Sequence, residues 1–288
     1  MNLLAVGYRF ILGNILSIIV GIGACLEIII NILKNPFKNP WAKKLKLEPP
    51  AALSDPKYGV HKYIKANSVK LHYVESGDPS KPLMLFVHGF PEFWYSWRHQ
   101  IVYFNKDYRC VAVDMRGYGD SERPEGVQHY KIELLADDIK DLIHELVFSP
   151  LYVFLFRIPN LPEVLLQMNN LAGFDKAFKK KAEHVTDEDI ECYKYWFGKQ
   201  TGLTPPLNYY RAIFAYTWPE SIHEEKVPFL FAHGENEKYL SRTLLDIMRR
   251  EYMCIETVII EGCGHFMQQE EPVKVNKVIT EFLANHHL

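Results

Sequence analysis

Two short segments carry most of the chemistry this chain can offer. His88-Gly89-Phe90-Pro91 follows an apolar run, residues 83–87, of the kind that forms a buried strand. Glycine there lets the backbone turn approach a bound molecule, and backbone N–H groups on such a turn stabilise an oxyanion. In the other half, Gly262-Cys263-Gly264 leads out of the apolar run 258–260. These small residues leave His265 exposed at a strand end, where a general base belongs. A third apolar run, residues 227–232, ends in Gly234-Glu235-Asn236-Glu237. The Glu237 carboxylate is placed to orient the histidine and stabilise its imidazolium form, the third-member role of a triad. Taken alone, His88 reads as a turn residue rather than a catalyst.

The elements needed to hold these groups are legible in outline. Residues 61–73 alternate apolar and polar around Asn67-Ser68 and predict an antiparallel hairpin. A short helix is expected over 97–104, a strand over 108–113, a helix over 129–146 and a closing helix over 270–283. Residues 148–224 read as a helical lid, with Thr186 and Asp189 spaced as a capping box. Asp187, Glu188 and Asp189 therefore mark a helix start rather than a metal site, and no metal or cofactor is called for. The expected organisation is an anchor and linker over 1–50, a first half-core over 51–147, the lid over 148–224 and a second half-core over 225–288.

His88-Gly89-Phe90-Pro91-Glu92, followed by Phe93, Trp94 and Trp97, and then Asp114-Met115-Arg116-Gly117-Tyr118-Gly119-Asp120-Ser121, resemble the motifs of the epoxide hydrolase branch of the α/β-hydrolase family. The resemblance spans roughly residues 58–283 and implies an α/β-hydrolase fold with a helical cap. It also implies that Phe90-Pro91 is a cis peptide. In that family two lid tyrosines hydrogen-bond the epoxide oxygen while an aspartate attacks a ring carbon, giving a covalent ester. A histidine oriented by a carboxylate then activates water against that ester. By resemblance Tyr152 and Tyr210 take the tyrosine positions, His265 and Glu237 the base and its orienting acid, and the Phe90 backbone the oxyanion donor. Glu237 departs from the aspartate usual in the family. A dehalogenase-type reading shares the fold but lacks the tyrosine pair.

The nucleophile has no counterpart. In the family the helix matching 129–146 is followed by a strand ending in Gly-x-Asp-x-Gly, the aspartate sitting on a strained elbow. Here Glu145-Leu146 runs into Val147-Phe148-Ser149-Pro150-Leu151-Tyr152. The one Gly-x-x-x-Gly spacing, Gly198 to Gly202, encloses Lys199-Gln200-Thr201. Asp137, Asp138 and Asp141 are the nearest acids and read as the solvent face of a helix. In a rival reading, residues 151–156 fill the empty strand slot, but no elbow glycines follow. The family's fifth and sixth strands, central and buried on both faces, are thus expected to be deleted, leaving unpaired edges and a split sheet. The sequence reads as a shortened isoform or incomplete gene model of such an enzyme, with a diverged, non-catalytic lipid- or epoxide-binding protein as the alternative.

Composition sets the rest. With 288 residues, 48% apolar, and a net charge of −2, the chain has core enough for a domain and no electrostatic case for nucleic acid. Cys25, Cys110, Cys192, Cys254 and Cys263 show no paired spacing, which argues against a zinc site or disulfide framework and for a reducing compartment. Residues 10–33 form a 24-residue, largely apolar run interrupted by Asn14, Ser17, Glu27 and Asn31. About 20 residues suffice to cross a bilayer. Arg9 precedes the run, while Lys34, Lys38, Lys43, Lys44 and Lys46 follow it. This excess predicts one spanning helix with the hydrolase domain cytosolic, at the endoplasmic reticulum, and an interfacial linker over 39–50. The expected ligand is a small apolar epoxide or lipid.

Overall fold

A computed structural model describes residues 3–34, 36, 48–131, 133–135, 138, 155–156, 158–178, 184–199, 201–215, 228–240 and 255–287. Residues 39–47 of the linker, the junction 146–149, most of the helix expected over 129–146, and Tyr152, Asp137 and Asp141 lie outside them.

The apolar run forms helix α1, Leu3–Lys34, which extends beyond the expected bounds. Ser17, Gly21 and Ala24 fall on one face and are buried, while Ile18, Ile19, Ile22, Leu26, Ile29 and Leu33 are exposed. The buried face packs on the lid entrance. A Cβ on Gly21 would stand 2.8 Å from Ile158 Cδ1 and 3.6 Å from Leu161 Cδ2, so the close approach requires a small residue.

Strands β1 (Val60–Ala66) and β2 (Val69–Ser76) form the expected hairpin. Its turn residues Asn67 and Ser68 both have positive φ, 42° and 66°, the pattern of a type I′ turn whose twist matches paired strands. Strand β3 (Leu83–Val87) pairs parallel with β4 (Arg109–Val113), and the four strands run β1-β2-β4-β3. Between β3 and β4, a 3₁₀ turn over Trp94–Trp97 leads into α2, Arg98–Phe104.

The lid comprises α3 (Leu161–Phe178), α4 (Asp187–Phe197) and α5 (Thr204–Ala215). Helix α3 is broken where Asn169, Asn170 and Leu171 adopt left-handed φ, a conformation asparagine tolerates and leucine adopts under strain. Helix α4 starts with the expected capping box, Thr186 bonding the Asp189 N–H and Asp189 the Thr186 N–H.

Strands β5 (Phe229–Gly234) and β6 (Ile255–Ile260) pair parallel as a separate two-stranded sheet. Among the described residues no strand lies between β4 and β5. The facing edge strands are left open: Leu83 is 56% and Phe229 40% exposed, unlike residues in the middle of a covered sheet. Leu155 and Phe156, in the segment of the rival strand, are helical. The chain then closes through α6 (Met267–Glu270) and α7 (Pro272–Asn285), the break falling at Pro272, which has no N–H to continue a helix.

With the sheet interrupted, the halves are joined through side chains. Phe266 packs on Phe178 of the lid at 4.6 Å between ring centroids. Gln100 of α2 donates to Gln268 O at 3.1 Å and to Asn276 Oδ1 at 2.9 Å. One aromatic core, including Phe93, Trp94, Tyr95, Phe174, Tyr193 and Phe197, unites the first sheet with the lid.

Candidate active site

Glycines shape the base loop. A Cβ on Gly234 would overlap Gly264 O at 2.1 Å, so the end of β5 and the loop after β6 touch backbone to backbone. Asn236 N–H donates to Cys263 O at 2.8 Å and Gly262 N–H to Glu235 Oε2 at 3.0 Å, stitching the loops together. Glu270 holds the far side, accepting from Gly264 N–H at 2.5 Å and Phe266 N–H at 3.1 Å.

This frame brings His265 Nδ1 to 2.6 Å from Glu237 Oε2. The second Glu237 oxygen accepts from the N–H groups of Tyr239 (2.6 Å) and Leu240 (3.3 Å). Burial alone would raise the Glu237 carboxyl, but the bond from His265 and those backbone donors outweigh it and hold it below the ordinary carboxylate value. The glutamate's extra methylene thus still reaches the imidazole. His265 keeps 25% of its side chain exposed, the Glu237 side chain only 2%. A buried acceptor fixing one nitrogen of a partly open imidazole is the arrangement a general base requires.

The His88–Pro91 turn is closed by Glu92 N–H donating to Gly89 O at 3.1 Å across a cis Phe90-Pro91 peptide, as a type VI turn. His88 spends both ring nitrogens on this frame. Nδ1 donates to Gly89 O at 2.8 Å, and Nε2 accepts from Met115 N–H at 3.1 Å. Burial keeps it in the neutral form these two bonds require, against the opposing pull of Asp114. Phe90 N–H has no hydrogen-bond partner among the described residues.

Tyr210 is buried, its ring edge-on to Phe90 at 5.5 Å and to Phe156 at 5.0 Å, which sets this lid residue against the His88–Pro91 turn. Its neighbour Tyr209 points elsewhere, donating to Arg116 O at 2.7 Å. The second motif braces the turn. The buried Asp114 carboxylate accepts from His72 Nδ1 (2.7 Å), Trp94 N–H (2.8 Å) and Asp120 N–H (3.1 Å). Gly119 passes so close to that carboxylate that any side chain would overlap it.

Asp138 corrects the sequence reading. It does not face solvent but is buried, accepting from Arg116 Nε at 2.5 Å and Nη2 at 2.6 Å, while Arg116 Nη1 donates to His129 O at 2.7 Å. Asp189, expected only as a cap, also pairs with Arg98 Nε at 3.0 Å. The buried Glu92, the last residue of the first motif, accepts from both Gln268 and Gln269. A polar residue at each end of a hydrophobic motif was the only sequence signal for that contact.

A family model described as alpha/beta hydrolase fold matches residues 82–154. Epoxide hydrolase 3 of Xenopus tropicalis is 32% identical over 301 aligned residues, covering 83% of this chain and 82% of the relative. The chain belongs to the epoxide hydrolase family. Epoxide hydrolase 4 of Homo sapiens is 31% identical over 329 residues, covering 91% of this chain and 90% of the relative. Among solved structures, an epoxide hydrolase from Vigna radiata superposes with a TM-score of 0.69 at 29% identity, over 78% of this chain and 98% of that one. One from Bacillus megaterium gives 0.67 at 25%, over 77% and 100%.

The lengths of these matches bear on the split sheet. An alignment of 301 positions that uses 83% of a 288-residue chain leaves about 60 positions of the relative with no counterpart here, more than a βαβ unit of roughly 30 residues needs. This member of the epoxide hydrolase family is therefore shorter internally than its relatives, and its described fold lacks strands between β4 and β5.

Proposed function

We propose that this chain retains the pocket side of the epoxide hydrolase reaction and has lost the attacking side: it binds small apolar epoxides, lipid epoxides among them, without turning them over. His265 and Glu237 are assigned as base and orienting acid, Tyr210 and Tyr152 as donors to the epoxide oxygen, and the His88-Gly89-Phe90-Pro91 turn as the oxyanion site. The observation that carries the reading is the His265–Glu237 pair at 2.6 Å in a fold with no strand, and hence no elbow, between β4 and β5 among its described residues. Water activated by His265 needs an ester to attack, and among the described residues no strand carries a nucleophilic carboxylate to form one. Loss of a triad nucleophile costs on the order of 10⁶ in turnover.

Helix α1 supports a membrane anchor. Residues Ser17–Lys34 form an 18-residue stretch of mean hydropathy 2.0 with an exposed isoleucine-rich surface. With lysines concentrated after it, the assignment is a single-pass protein of the endoplasmic reticulum whose hydrolase domain faces the cytosol.

The test is incubation of the purified full chain with a styrene-type epoxide and a fatty-acid epoxide in ¹⁸O water. Diol is expected at the uncatalysed rate, with both epoxides retained in equilibrium dialysis. Labelled diol formed at enzymatic turnover and abolished by His265→Gln would overturn the proposal.

A further inference from the structure

The base and the oxyanion turn sit on opposite sides of the break in the sheet: His88–Pro91 extends from β3, and His265 follows β6. In a continuous sheet, hydrogen-bonded strands would fix their separation. We infer that Gln269 replaces that constraint as a positioning residue, holding the His265 loop against the oxyanion turn in an orientation set by the lid.

Gln269 is fully buried, four residues beyond His265, and its N–H is tied to Phe266 O at 2.9 Å. Its side chain meets three elements at once. Nε2 donates to Glu92 Oε1 at 2.8 Å, one residue past the oxyanion turn. Oε1 accepts from Arg98 Nη1 of α2 and from Tyr193 OH of α4 in the lid, both at 2.8 Å. The amide can point only one way. Arg98 carries donors alone, so the atom it faces is oxygen, and the NH₂ group is left to face the acceptor Glu92. Arg98 is itself held by Asp189 Oδ1 at 3.0 Å, an atom that also accepts from Tyr95 OH at 3.0 Å. A chain of directional bonds therefore runs from the lid through Arg98 and Tyr193 to Gln269, Glu92 and the turn. Gln268 Nε2 donates to the same Glu92 oxygen at 2.7 Å but has no bond to the lid among the described residues, and apolar packing such as Phe178 on Phe266 is not directional. Catalytic groups lose effect when displaced by about 1 Å, so a directional tie at this point matters to the site.

The inference rests on reading the His265–Glu237 pair as an active-site remnant, but its test needs no turnover. The readout is the titration of the Glu92 carboxyl by ¹³C-glutamate NMR on the full chain in detergent. The charged and titratable groups bearing on Glu92 are His265 and Tyr193, with Arg98 acting through Gln269. Gln269→Met, which keeps the length and removes the polar atoms, is expected to move the Glu92 titration upward by about one pH unit, because a donor to its charged form is lost. Tyr193→Phe, which removes a hydroxyl that bears on Glu92 both at a distance and through Gln269, is expected to shift the Glu92 titration more in the wild-type background than in Gln269→Met. A residue that only fills space would lower stability and leave this coupling absent. Equal Tyr193→Phe shifts in both backgrounds overturn the inference. So does a Tyr193→Phe single variant whose Glu92 titrates as in the wild type, an outcome readable even where Gln269→Met fails to fold. Failure of the proposed function is read separately, from ¹⁸O diol formation.

Discussion

Arg116 and Asp138 are both withdrawn from solvent and bonded twice, so neither can change without stranding the other. Asp138→Asn keeps the shape but leaves a buried guanidinium without its counter-charge. A loss of about 3–5 kcal/mol is expected, read from the urea midpoint. Loss of less than about 1 kcal/mol, the scale of exposed pairs, would mean that the ion pair is solvated. The sequence could not show this, since an acid beside Asp137 on a helix reads as a solvent face until Arg116, 22 positions away, is placed over it. His265 and Glu237 were legible because glycines at strand ends constrain the backbone itself. The carboxylates also set a pH signature. Glu237 is held below its ordinary 4.5, so its contribution to stability is complete above 4.5 and is lost as pH falls through the lower folded value. Glu92 behaves oppositely: burial raises it, so the unfolded chain ionises first and stability declines as pH rises from 4.5 through the folded value. Glu237→Gln should therefore flatten the acid limb of the denaturation profile and Glu92→Gln the limb above it. Profiles parallel to the wild type would contradict both assignments.

At the scale of elements, the hairpin, the capping box and the strands β3 to β6 follow local rules and were readable from turn residues and apolar runs. The left-handed break in α3 and the split of the closing helix were not. Their causes are the buried Leu171, which packs in the lid core, and Pro272, whose position fixes a helix start only once α6 is seen before it. The open edges of β3 and β5 go with the lack of any strand between β4 and β5 among the described residues, and this makes them testable. Amides on these edges should exchange quickly with solvent, as local opening is easy where a strand has one neighbour. Grafting the strand, elbow, helix and strand that the family resemblance implies between residues 146 and 149 should protect those amides and, on the proposed function, confer diol formation together. Restored activity with unprotected edges would show that the graft acts without joining the sheets.

For the whole molecule, the question is what α1 does when a membrane is present. Gly21 lies 13 residues before Lys34, about 20 Å along a helix rising 1.5 Å per residue. If α1 crosses a hydrocarbon layer about 30 Å thick with Lys34 at its surface, Gly21 sits deep inside it. The lid cannot follow, because Arg211 and Glu163 form an ion pair beside Ile158 and would enter lipid with it. The packing of Gly21 on Ile158 and Leu161 and a spanning α1 are therefore exclusive states of one chain. Insertion should exchange that contact for lipid, leaving the lid entrance free at the membrane surface. Gly21→Cys with Leu161→Cys, in an Ile158→Ala and Cys25→Ser background that relieves the contact of the new Cβ with Ile158 Cδ1 and removes the exposed thiol, is expected to cross-link in the chain before insertion and to fail in the carbonate-resistant membrane fraction. A cross-link that persists in that fraction would mean that α1 lies along the lid at the interface instead of crossing, with its isoleucine surface turned into the bilayer.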